Sequence, residues 1–366
     1  MVNYIRKENL GNIAYVNSFV EVFFPKEFKS DSNLKIKNNT KSAFCLGAPF
    51  TITINITNKC NFSCKFCYFE KGSKTLTYNQ IDLLIDYIKK NYIYEVDILG
   101  GEPLLPAVKK KTKYLINYLL KIPSLKKIYI STNGYFLDKS YYSYLNNDKI
   151  ELSISLEGPK KIHDFLTGHK AYDKVIKNVT ELDKNTEIKY TITTVINKKN
   201  YLELKNFYLI VLSHLSNLKC WLWHYPTITK YNGKFDAKTI DLKLFFDLVK
   251  IYKKALPILI MIDAPYNYFF SNSKIPTTKL EKVLCICKAK YKKIEIMPDG
   301  SVFPCVLLRQ EKFKLGNLET GFKYNPDKIN LAHNCNNKNC KYQVICYGCL
   351  GYKIFNGCDD RCPGYQ

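Results

Sequence analysis

The chain has 366 residues, room for a large barrel with an appendage or for two domains, and at 46% hydrophobic and 24% charged residues it can bury a core and is not globally disordered. The formal net charge of +24 is almost wholly lysine, because arginine occurs only at Arg6, Arg309 and Arg361; lysine spread over every segment reads as a solvated surface and weighs against a base-reading nucleic-acid partner, which needs the guanidinium fork. No apolar run reaches the ~20 residues of a membrane span, and the N-terminus lacks the apolar stretch and cleavage site of an export signal, so no membrane partner and a cytoplasmic location are expected.

Taken in chain order, residues 1–49 read as an N-terminal extension with a β-hairpin at 13–16 and 20–24, followed by a polar linker at 29–41. Residues 50–230 alternate between strand and helix patterns. Strand 51–57 (TITINIT) is β-branched, and the next stretch has apolar residues at 81, 84, 85 and 88, a helical spacing that Thr77 and Gln80 open with a capping box. Strands at 95–99, 127–132, 150–156, 188–196 and 220–223 alternate with helices at 108–120, 139–145, 172–182 and 202–214. Six strand-helix units specify a parallel sheet with right-handed crossovers, and six falls short of the eight that close a barrel. The predicted fold is therefore α/β, a partial (β/α)6 TIM-like barrel. A helical bridge follows at 231–284, then a loop-rich C-terminal domain at 285–366 with one hairpin signal around Pro298, Asp299 and Gly300.

Fourteen cysteines carry the chemistry. Cys45 and Cys220 stand alone and read as small buried hydrophobes. Cys60, Cys64 and Cys67 form C-x3-C-x2-C directly after the first barrel strand, at the mouth where such folds place their sites. Nine more crowd between 285 and 362, in a segment with too little periodic apolar pattern to fold by burial. A large chain without an export signal is not a disulfide framework, so both groups read as metal sites. Three ligands on one loop leave a four-iron cluster one open iron, whereas structural zinc wants a fourth ligand nearby.

Cys60, Cys64, Phe66 and Cys67 in this register resemble the C-x3-C-x-aromatic-C signature of the radical S-adenosylmethionine (radical SAM) superfamily. Gly100, Gly101, Glu102 and Pro103 at the second strand end resemble its GGE segment, Asn133 follows the third strand, and Ser155 with Glu157 resembles an S-x-D-G element with a longer acid. The resemblance implies that Cys60, Cys64 and Cys67 are the catalytic cluster ligands and that Phe66, Gly100, Gly101, Glu102, Asn133 and Ser155 contact SAM. Thr167 stands where relatives have an arginine for the SAM carboxylate, which leaves Lys170 or His169 as the nearest substitutes.

The tail resembles the SPASM domain, the auxiliary-cluster extension of peptide-modifying relatives: Cys287-x12-Gly300-x4-Cys305, then Cys335-x4-Cys340-x5-Cys346-x2-Cys349, Cys358 and Cys362. By that resemblance one auxiliary cluster takes Cys287, Cys305 and Cys349 with Cys285, and the other takes Cys335, Cys340, Cys346 and Cys362, with Cys358 in reserve. The cofactors implied are SAM and three 4Fe–4S clusters, one SAM-binding and two auxiliary. The implied partners are a peptide or protein substrate and an external electron donor such as flavodoxin or ferredoxin. The activity implied is reductive cleavage of SAM to a 5′-deoxyadenosyl radical that modifies the substrate by thioether or carbon–carbon crosslinking, with maturation of a peptide-derived cofactor or of an enzyme side chain as the alternative. Sulfatase maturases of this kind carry an aspartate after the G-x4-C cysteine; here that residue is Val306. A reading of another class, a zinc-bearing nucleic-acid-binding module, has the tail's short cysteine spacings in its favour, and GGEP and the scarcity of arginine against it.

Overall fold

The computed structural model describes residues 48–227, 240, 242–262 and 293–324, together with the backbone of four strands nearer the N-terminus. Those strands are β1 (Val2–Glu8), β2 (Gly11–Val16), β3 (Phe19–Phe23) and β4 (Lys35–Asn39), paired in the order β3-β2-β1-β4. β2 and β3 form the expected antiparallel hairpin. The stretch read as a polar linker contributes β4, parallel to β1, because a strand held by backbone pairing needs no apolar signature of its own.

The main sheet contains the six expected strands, all parallel and neighbouring in sequence order: β5 (Thr51–Asn55), β6 (Glu95–Leu99), β7 (Lys127–Thr132), β8 (Ile150–Ser155), β9 (Tyr190–Val195) and β10 (Leu218–His224). Between them lie α1 (Tyr78–Lys90), α2 (Lys109–Leu120), α3 (Lys139–Leu145), α4 (Lys160–Thr167), α5 (Tyr172–Asn185) and α6 (Leu204–Ile210). α1 starts on the expected capping box, with Gln80 N–H donating to Thr77 Oγ1 at 3.1 Å and Thr77 N–H to Gln80 Oε1 at 3.0 Å. α4 is an addition, short enough that its pattern merged with the loop before it. α6 is shorter than the helix expected over 202–214, because 3-10 turns at Tyr201–Glu203 and Leu212–His214 replace its ends.

Residues along β6 to β9 alternate in burial. Ile98, Ile130, Ile154 and Ile192 are fully buried in the core with Ile81, Leu84, Leu115 and Leu119 of α1 and α2. Each such side chain contributes roughly 1.5–3 kcal/mol through burial. The intervening positions face the concave interior and are mostly polar, with Ser153 bonded to Thr193 and Thr53 Oγ1 donating to Asp97 at 3.0 Å.

Two further parallel strands extend the sheet at its edges. After α7 (Leu242–Ala255), β11 (Ile260–Ile262) pairs with β10. On the other side β12 (Lys293–Ile296) pairs with β5 and turns antiparallel into β13 (Ser301–Phe303), which leads to β14 (Gly316–Asn317) and β15 (Gly321–Phe322). The expected hairpin around Asp299 is thus also an edge of the barrel. Arg309 locks it there: its guanidinium forms a two-pronged pair with buried Glu295 at 2.6 and 3.0 Å, and Asn55 of β5 donates to the same carboxylate at 2.9 Å. Burial alone would raise the Glu295 carboxyl, and Arg309 overrides it to hold the group below the usual carboxylate range. Among the described residues no helix is long and apolar enough to cross a membrane.

Candidate active site

A cavity of about 300 Å³ opens at the C-terminal ends of the barrel strands, lined by all three cysteines of the C-x3-C-x2-C loop. Phe66, Gly100, Gly101, Glu102, Asn133 and Ser155, the expected SAM contacts, line the same cavity. Glu157, Thr167, Ser153, Thr193, Val195 and His224 complete the wall beside them. Sequence reasoning missed Ser153, Thr193, Val195 and His224. For the first three the signal was there, since Ser153 and Ser155, and Thr193 and Val195, are period-two partners on strands whose other face is apolar.

The cysteine loop is docked on two sides. Gly101 N–H donates to Thr57 O at 2.7 Å and Glu102 N–H to Lys59 O at 2.9 Å. At the far side Ser63 N–H donates to Thr167 O at 2.9 Å and Lys65 N–H to Leu166 O at 2.8 Å, so the C-terminal carbonyls of α4 hold the loop. The two glycines make the first contact feasible: a Cβ on Gly101 would lie 1.9 Å from Lys59 O, and one on Gly100, whose φ is +135°, 2.4 Å from Thr57 O. Their smallness therefore serves the approach of the cysteine loop as well as the cavity surface.

Glu102 is fully buried and ties three segments together. Its carboxylate accepts from Leu104 N–H at 2.9 Å, Thr132 Oγ1 at 2.6 Å and Asn133 N–H at 2.7 Å. Asn133 in turn donates to Asn61 Oδ1 at 2.9 Å, inside the cysteine loop. Burial pushes the Glu102 carboxyl up to about 7 despite those donors. Glu157 accepts from Val195 N–H at 2.9 Å and burial raises it to about 8. His163 lies behind this wall; its Nδ1 accepts from Glu157 N–H at 3.3 Å, which puts the proton on Nε2, and burial lowers its pKa to about 4, so it is a neutral packing residue.

Thr167 does not offer its hydroxyl to the cavity, because Oγ1 donates to His163 O at 2.8 Å within α4. Lys170 and His169 are exposed and are not among the lining residues. Among the described residues no lysine or arginine lines the cavity, so neither expected substitute for the arginine is in place.

The residues present fit an iron-sulfur cluster. Burial raises the Cys60 thiol to about 11 and the Cys64 thiol well above its ordinary value, with neighbouring thiols and Glu102 or Glu157 adding to the effect and Lys71 opposing it. Deprotonated thiols here need a cationic centre to hold them. Among the described residues no group of three or more potential ligands converges on a single metal ion. A cuboidal cluster asks for no such convergence, since each thiolate binds a separate iron. Of the tail cysteines only Cys305 is described: half-buried, it lies two residues beyond the end of β13 and four residues before Arg309. Cys285, Cys287, Cys335, Cys340, Cys346, Cys349, Cys358 and Cys362 lie outside the described residues, as does Cys45. Cys220 is buried as expected, 3.2 Å from Thr191 Oγ1.

Residues 54–209 match the family model of the radical SAM superfamily. The chain carries a radical SAM domain. As a radical SAM enzyme its cofactors are SAM and 4Fe–4S clusters. Over 339 residues it is 22% identical to the cysteine-type anaerobic sulfatase-maturating enzyme of Clostridium perfringens, covering 83% of this chain and 86% of that one. Over 328 residues it is 23% identical to AlbA of Bacillus subtilis, the antilisterial bacteriocin subtilosin biosynthesis protein, covering 82% and 67%. In fold it is similar to Streptococcus suis SuiB bound to its precursor peptide SuiA, with a TM-score of 0.75, 19% identity and coverage of 99% and 98%.

Proposed function

We propose that this radical SAM enzyme modifies a peptide or protein substrate, forming a thioether or carbon–carbon crosslink. The observation that carries the reading is the cavity at the barrel mouth, in which Cys60, Cys64 and Cys67 share one wall with the Gly100–Gly101–Glu102 turn, Asn133 and Ser155. Supporting it, the similarity to the sulfatase-maturating enzyme and to AlbA extends beyond the radical SAM domain over more than four-fifths of the chain.

Bound here, a 4Fe–4S cluster and SAM would supply one-electron reductive cleavage of the sulfonium and so a radical able to take hydrogen from the substrate. Cys60, Cys64 and Cys67 would hold the cluster at the strand ends, on a loop fixed by its bonds to Gly101, Glu102 and α4. Gly100, Gly101 and Glu102 would offer a carboxyl and main-chain groups to the amino group of SAM, and Asn133 and Ser155 lie along the adjoining strand ends. Phe62, Phe66 and Phe69 give the cysteine side an apolar wall that excludes water from a radical. In the tail, Cys285, Cys287, Cys305 and Cys349 would hold one auxiliary cluster and Cys335, Cys340, Cys346 and Cys362 the second, with Cys358 in reserve. The substrate, by this reading, is a ribosomally made peptide, and the electron comes from flavodoxin or ferredoxin.

The test is anaerobic. Reconstituted enzyme with SAM and a reductant should release 5′-deoxyadenosine, and with a peptide encoded beside its gene should give a product lighter by two hydrogens per crosslink. Cys64→Ala should release none while keeping the auxiliary iron. If replacing Cys60, Cys64 and Cys67 together with alanine leaves the iron content at the wild-type level, the cluster assignment is wrong.

A further inference from the structure

Phe165 of α4 is 49% exposed although the next two residues, Leu166 and Thr167, are buried. Two cations from separate loops gather at its ring: the Lys65 ammonium lies 4.8 Å from the ring centroid and the Lys199 ammonium 5.7 Å. Lys161, one turn earlier on α4, shares the face of Phe165 and is exposed. The acid beside the ring in sequence, Asp164, has its Oδ1 occupied by Ala171 and Tyr172 N–H groups at 2.9 Å, and Asp173 is paired with Lys160. The patch is an aromatic centre with a positive rim, the composition of a small interface for an acidic partner.

Its place relative to the cysteines is what gives it meaning. Lys65 follows Cys64 directly, and its N–H donates to the carbonyl of Leu166, the residue after Phe165. The route from the exposed ring to a cluster ligand is therefore one peptide unit, one hydrogen bond of 2.8 Å and one further residue. Cys64 faces the cavity on the inner side of the loop, and Phe165 faces solvent on the outer side. An electron entering here crosses the loop and leaves the cavity mouth to SAM and substrate.

We propose that the outer face of the cysteine loop, centred on Phe165 and rimmed by Lys65, Lys161 and Lys199, is the docking surface for an acidic one-electron carrier protein of the flavodoxin type. The proposal rests on the reading above, in which the cluster on Cys60, Cys64 and Cys67 must gain one electron. That electron leaves the carrier's anionic flavin hydroquinone, which becomes the neutral semiquinone; no bond forms or breaks and no proton is transferred.

The experiment compares wild type, a Lys65→Glu, Lys199→Glu double variant and Phe165→Ala as anaerobic holoenzymes. Binding of oxidised flavodoxin, followed by calorimetry at low and high salt, is a readout independent of turnover. Charge reversal should weaken binding by about tenfold or more at low salt and remove most of its salt dependence, and Phe165→Ala should weaken binding while keeping that dependence. SAM cleavage driven by dithionite should be equal in all three, while cleavage driven by reduced flavodoxin should fall in both variants. Unchanged flavodoxin affinity would overturn the proposal. So would an equal loss with dithionite, which would make these residues supports of the cysteine loop, and so would a loss of peptide binding at unchanged flavodoxin affinity, which would give the face to the substrate. If wild type itself cleaves no SAM with dithionite, the radical SAM reading fails first.

Discussion

Glu102 and Glu157 are carboxyls in the cavity wall that burial raises to about 7 and about 8 from an ordinary 4.5. A raised folded pKa means that the folded chain keeps its proton after the unfolded chain has released it. The stability tied to each group is then fully present below about 4.5 and is lost as pH rises toward the folded value. Glu157→Gln keeps an oxygen for Val195 N–H and removes the titration. The stability of wild type relative to this variant should therefore fall between pH 4.5 and about 8 and level off above, which urea unfolding at a series of pH values will measure. Glu102→Ala has a different consequence, because the N–H groups of Leu104 and Asn133 and the Thr132 hydroxyl lose their acceptor. At ~1–3 kcal/mol for each unsatisfied buried group, a lower melting temperature and loss of SAM affinity are expected together.

The cysteine loop docks on the end of β6 and on α4 through backbone hydrogen bonds, and that makes small residues decisive. Gly101→Ala would press a methyl group into the Lys59 carbonyl and push the cysteine loop off β6. Overpacking of this kind costs about 1–3 kcal/mol, and the variant should reconstitute with less iron than wild type even where circular dichroism finds the barrel intact. On the opposite edge, Arg309 joins the β12–β13 hairpin to β5 through Glu295, and its guanidinium also lies 4.7 Å from the ring of Phe69, two residues beyond Cys67. Arg309→Met should destabilise by about 3–5 kcal/mol in chemical denaturation, because it strands a buried carboxylate. Adding Glu295→Met should recover a large part of that loss, since replacing both partners removes the uncompensated charge.

At the scale of the whole molecule, the parallel sheet gathers residues from positions 60 to 227 around one cavity, and the tail returns to the first strand of the barrel through β12. If the tail cysteines bind as proposed, anaerobically reconstituted protein should carry roughly three 4Fe–4S clusters, measured as iron and sulfide per chain. Recovery of stoichiometric zinc with a single iron cluster would replace the auxiliary assignment with a zinc ribbon.

By itself the sequence determined the six-strand parallel order, the capping box of α1, the cysteine loop and the glycine-rich strand end that receives it. These are local patterns, set by periodicity, turn chemistry and ligand spacing within a few residues, and the same residues carried the family resemblance. Only the tertiary structure decided which polar positions share a cavity. Ser153, Thr193 and Val195 carry a period-two signal on their own strands, but they meet one another and His224 only because alternate positions of neighbouring strands face one interior. It also decided that Thr167 spends its hydroxyl on its own helix and that Lys170 faces solvent, against the compensation its nearness in sequence suggested. The edge strand β11 belongs to the same class: only three residues long, it is too short to carry a pattern and becomes a strand because the neighbouring edge offers its backbone groups a partner. The hairpin signal found β12, but only the fold decided that it pairs with β5.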